Sequence, residues 1–147
     1  MNLGLLYLMT ILAGSTMAIQ AGINSQLQTS WARDPILAAF ISFAVGAIGL
    51  FFCVVLTRVP IPPFPEKIVP WHWIGGLLGA ILVSVTVYVA PRLGAATMIG
   101  LILAGQIGSS LILDHFGLLG YAQKAITWQR FLGAMLVGVG VFLIRRF

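Results

Sequence analysis

Apolar residues along this chain fall into five long runs, at residues 3–24, 36–56, 73–90, 93–113 and 128–144. A helix rises about 1.5 Å per residue, so about 20 apolar residues cross a hydrocarbon core of about 30 Å. The pattern therefore predicts an all-α integral membrane protein with five transmembrane helices in one unit over residues 1–147. The fourth run is the clearest: the twenty-one residues between Arg92 and Asp114 carry no formal charge. The first run has no basic segment before it and exceeds the usual apolar core of a signal peptide, so it is expected to be retained as a helix.

The polar positions inside these runs are few and neutral. Gln20 and Asn24 stand four apart on the first helix and share a face. Ser84 and Thr86 lie in the third run, where their hydroxyls can bond a carbonyl of the preceding turn. Gln106 is near the middle of the fourth, with Ser109 and Ser110 beyond it. An unpaired amide at that depth is costly, so Gln106 should face protein or a polar cavity. Small residues recur at helical spacing: Gly14, Ala18 and Gly22; Ser42, Gly46 and Gly49; Gly75 and Gly79; Gly100, Ala104 and Gly108; and Gly133, Ala134, Gly138 and Gly140. Such stripes let neighbouring helices approach closely.

The breaks between runs are short. Residues 30–35 read as a loop whose Pro35 starts the second helix. The stretch 58–70 carries Pro60, Pro62, Pro63, Pro65 and Pro70 and is expected to be an extended strap. Trp71, His72 and Trp73 form an interfacial belt. Pro91 and Arg92 read as a tight turn between the third and fourth helices, and residues 115–127 as a loop with Gly117 and Gly120.

Composition agrees with this picture. Hydrophobic residues make up 60% and charged residues 7%, with a mean hydropathy of +1.06, which excludes an ordinary soluble domain. The formal charge of +5 comes from scattered side chains, so membrane lipid rather than nucleic acid is the expected partner. The lone Cys53 lies in an apolar run and reads as a buried small hydrophobe.

Five spans place the termini on opposite sides. Arg58, Lys67, Lys124 and Arg130 then fall on the N-terminal side, and Arg33, Arg92, Arg145 and Arg146 on the other. This even division gives the positive-inside rule nothing to act on. Either another factor sets the orientation, or copies insert both ways and pair as an antiparallel homodimer, a ten-helix inverted-repeat bundle of the kind found in transporters.

Residues 75–120, GGLLGAILVSVTVYVAPRLGAATMIGLILAGQIGSSLILDHFGLLG, followed by TWQRFLGAMLVGVGVFLI, resemble the five-span YdcZ-type inner-membrane exporters of the drug/metabolite transporter superfamily. Ala13, Gly14, Gln20 and Asn24 fit the same pattern in the first run. The resemblance covers essentially the whole chain. It implies a multi-pass protein of the bacterial inner membrane, a small-molecule substrate and, since such proteins occur as single genes, pairs and fusions, an antiparallel dimer. The related four-span multidrug exporters rely on a glutamate in the first helix, and this chain has none there.

The residues leave little other chemistry. Asp34, Glu66 and Asp114 are the acids, all outside mid-membrane, and His72 and His115 lack metal-ligand spacing. No phosphate-binding GxxxxGK[ST] loop and no nucleophile–base–acid pattern occurs. No enzyme, metal or cofactor is therefore expected. The leading expectation is a secondary transporter whose pathway at the dimer interface uses Gln20, Asn24, Ser84, Thr86, Gln106 and Ser109. Asp114 and Arg92 are candidate gate or coupling residues, Gly133, Ala134, Gly138 and Gly140 a dimer-packing face, and Trp31, Tyr88 and Trp128 candidate linings of the pathway ends. A small ion channel and a non-transporting partner subunit are the alternatives. The charge division yields a direct prediction. A reporter fused to the C-terminus should be found on both sides of the membrane, and two lysines added at the N-terminal side should drive it to one; a single-sided reporter on the unmodified chain would argue against antiparallel pairing.

Overall fold

A computed structural model describes residues 2–63 and 69–147. Its long helices are α1 (Leu3–Leu27), α2 (Pro35–Leu56), α3 (Ile74–Leu93), α4 (Ala95–Phe116) and α5 (Trp128–Arg146). The described residues contain no strand, and all five helices are long and apolar enough to cross a membrane. Residues 64–68, and with them Pro65, Glu66 and Lys67 of the strap, lie outside the described residues.

Three helix starts have a residue-level cause. Asn2 accepts a hydrogen bond from the Gly4 amide at 3.1 Å and caps α1. Asp34 accepts from the amides of Ile36 and Leu37 at 2.8 and 2.9 Å, with Pro35 at the first helical position of α2. Thr127 accepts from the Arg130 amide at the start of α5.

Two boundaries differ from the sequence reading. The first helix does not stop near residue 24. It runs to Leu27 and continues as a π-helical segment, Gln28–Ala32, so most of the expected 30–35 loop is helical. Arg33 closes it in the left-handed region (φ 60°), its amide donating to the Gln28 carbonyl at 2.8 Å. Pro91 and Arg92 are not a turn; they are the last turn of α3. The Arg92 guanidinium donates to the Tyr88 carbonyl and covers the Tyr88 ring, 3.7 Å from its centroid, which supports that last turn. The break is Gly94 alone, whose φ of 78° favours a residue without a Cβ.

The chain forms two compact units, residues 1–92 and 93–147. In the first, Ala32, Ala38, Ala39, Val83 and Val87 make a small buried core, with Leu27 and Ile41 against it. Alanines at this contact let the π-helical segment Gln28–Ala32 and the start of α2 come close, and Val83 and Val87 of α3 pack their side chains against them. Gly79 serves a side chain rather than a helix backbone: a Cβ there would stand 3.3 Å from Cζ of Phe43, whereas Gly75 has open space. Cys53, expected to be buried, is exposed on the outer surface of α2.

In the second unit α4 packs on α5. A Cβ at Gly100 would lie 2.9 Å from Cγ2 of the buried Val141, so only glycine permits that approach without a shift of a stiff β-branched side chain. Gly108, on the same stripe, has open space. One half of the stripe is therefore a seam within the chain, and the other half is free on this surface.

Candidate functional site

The polar residues of the first unit centre on α1. Gln20, Asn24 and Gln28 follow one another at four-residue spacing and form a ladder of carboxamides along one side of the helix. Gln20 is exposed and makes no hydrogen bond within its unit. It borders a 260 Å³ cleft against α2 whose other walls are Ser42, Phe43, Gly46, Ala47 and Leu50. A single amide on apolar walls is chemistry for a neutral, partly apolar solute.

Asn24 is 4% exposed, and its Nδ2 has no partner; the same holds for the buried Oε1 of Gln28. Gln28 was not singled out from the sequence. Its spacing from Asn24 is the signal that would have found it. Thr86 is buried and Ser84 half-buried on α3. Their hydroxyls donate to the carbonyls of Val83 and Ala80, both at 2.8 Å, so what they offer a ligand is acceptor lone pairs.

In the second unit Gln106 and Ser109 are exposed on α4 and make no hydrogen bond within that unit. Gln106 lies six residues beyond Gly100, about 240° round the helix, and therefore points away from the α5 seam. The expectation that it is enclosed is not met within its own unit. On α5, Gly133, Gly138 and Gly140 have no neighbouring atom within 4 Å of where a Cβ would stand, and Ala134 is half-buried. The face proposed for dimer packing is thus unfilled there.

Asp114 is held by its own chain. Its carboxylate pairs with Arg130, both side chains being partly buried. The other arm of the guanidinium donates to the carbonyls of Lys124 and Ala125, at 2.9 and 3.4 Å. The Lys124 amide returns to the Asp114 carbonyl at 2.7 Å, and the Ile126 amide donates to Nδ1 of His115 at 3.2 Å. The α4–α5 loop is therefore pinned to the end of α4 by side chains that flank it. Arg92 is engaged with Tyr88, as described above. Among the described residues, no three His, Cys, Asp or Glu side chains group as metal ligands.

Residues 5–143 match the family model described as "Putative inner membrane exporter, YdcZ". The chain belongs to the YdcZ exporter family. It is 30% identical over 150 residues to "Inner membrane protein YdcZ" of Escherichia coli (strain K12), an alignment covering 99% of this chain and 98% of the relative. No solved structure matches. Membership and five membrane-length helices make this a multi-pass inner-membrane protein and support a transporter or exporter role.

The loop clamp gives a test of what Asp114 does structurally. Asp114→Asn removes the charge that fixes Arg130 and should lower thermal stability by about 1 kcal/mol. Trypsin should then cut faster after Lys124. Arg130→Lys keeps the charge but cannot reach the carboxylate and both carbonyls at once, and should also expose Lys124. Cleavage rates equal to the unmodified protein in both variants would contradict the clamp.

Proposed function

We propose that this protein is a secondary exporter of a small neutral or weakly polar molecule, working as an antiparallel homodimer with the solute pathway at the interface of the two copies. Gln20, Asn24, Ser84, Thr86, Gln106 and Ser109 supply its polar contacts. Gly133, Ala134, Gly138 and Gly140 pack the copies together, and Asp114 and Arg92 act as gates at the pathway ends.

The observation that carries this reading is the state of the glutamines. Gln20 and Gln106 are exposed on apolar helices with no hydrogen bond inside their own units. In a bilayer such groups require a partner, and the possible partners are the chain's other unit, a second copy, water in a cavity, or solute. Neutral amides and hydroxyls exchange with the hydration shell of a neutral solute. No acid lies at mid-membrane to balance the charge of a cation. The family label supports movement out of the cell as the direction.

The test is reconstitution. Proteoliposomes holding the purified protein should show saturable uptake of a radiolabelled solute, accelerated by the same unlabelled solute on the opposite side. Unitary currents without counterflow would replace the carrier by a channel, and inactivity with stable co-purification of another membrane protein would replace it by a partner subunit.

A further inference from the structure

We propose that Asn24 and Gln28 together form a recognition site for a neutral carboxamide or lactam at one mouth of the pathway; the inference rests on the transport reading above. Asn24 presents a buried donor without a partner, and Gln28 a buried acceptor without one, one helical turn away. Side chains so spaced have Cβ atoms about 5–6 Å apart. The edge of a carboxamide carries one acceptor and one donor side by side, in the complementary order. A solute of this class accepts from Nδ2 of Asn24 and donates to Oε1 of Gln28 in one contact.

Three further features fit a binding site. The backbone changes here from α to π, at Gln28–Ala32, and such widened turns recur at functional sites. The helix and its π extension span 30 residues, about 45 Å, which exceeds the hydrocarbon core by about 15 Å, so its C-terminal end reaches the headgroup level. There Trp31 is exposed, as an interfacial tryptophan would be. The nearest charged side chains in sequence are Arg33 and Asp34, and the Asp34 carboxylate is occupied in capping α2. Arg33 is exposed, and no charged side chain is buried with Asn24 and Gln28 among the described residues, so the two buried atoms themselves offer a hydrogen-bond pattern and not a charge.

The bland account is that Asn24 and Gln28 rotate to bond each other. The two accounts differ in what an apolar substitution does. Removing one member of a bonded pair leaves the other stranded and lowers stability, whereas removing an unpartnered buried amide is neutral or stabilising. The probe is benzamide, with N,N-dimethylbenzamide, which lacks the donor, as control. Benzamide should raise the melting temperature of the purified full-length protein saturably, and the dimethyl compound should bind about ten-fold more weakly. Asn24→Leu and Gln28→Met should each melt no lower than the unmodified protein without ligand, and each should weaken benzamide by about ten-fold. The proposal is overturned if benzamide and its dimethyl derivative act alike on the unmodified protein, a comparison that needs no variant. It is also overturned if single variants lose stability, the double variant recovers it, and benzamide binding is untouched. Counterflow of solutes with no carboxamide preference sinks this site alone, and a carboxamide-specific shift without counterflow sinks the transport reading alone.

Discussion

A carboxamide in hydrocarbon has to find a partner: leaving it without one costs about 1–3 kcal/mol by mutational measures and more against pure alkane. This constraint shapes the chain more than any attractive contact within it. Backbone groups meet it by forming helices, which is why five apolar runs give five helices. Ser84 and Thr86 meet it by donating to their own helix. Gln20 and Gln106 do not meet it within their own units, and Nδ2 of Asn24 and Oε1 of Gln28 are buried without a partner. The unmet part of the requirement is where function belongs.

Small residues determine which helix surfaces are already used. The alanines at 32, 38 and 39 and the Gly79–Phe43 contact close the first unit, and Gly100 against Val141 closes the second. Glycines with open space, at 108, 133, 138 and 140, mark surfaces those contacts leave free. In a soluble protein exposed apolar area on this scale would predict aggregation, but in a membrane protein the bilayer accommodates it. At the membrane edge the Asp114–Arg130 pair does a different task, since it fixes a loop rather than a helix contact.

The number, type and approximate limits of the helices were legible because hydropathy over about 20 residues is a strong signal. The end of α1 was not, because residues 30–35 read as a loop up to Pro35, while the chain uses a π turn and a left-handed Arg33 to carry Ser30, Trp31 and Ala32 as helix. Pro91 misled for a similar reason: it removes one helical N–H donor, yet the chain stays helical through a last turn that Arg92 and Tyr88 support. Gln20, Asn24, Gln106 and Ser109 were visible as polar residues in apolar runs. The Asp114–Arg130 pair was not, since sixteen residues of separation leave no periodic trace. Gly79 and Gly100 were visible as small positions, but which side chain would fill the space beside each was not.

The central claim is that the mid-helix glutamines face a water-filled, solute-occupied cavity and not a sealed helix contact. Cysteine placed singly at Gln20 or Gln106, in a chain whose Cys53 has been changed to Ala, measures this directly in proteoliposomes. Both positions should react with a membrane-impermeant thiol reagent, and a transported solute should slow the reaction. If neither position reacts from either side while the protein remains folded, the glutamines are interhelical packing bonds, and the pathway assigned to them is wrong.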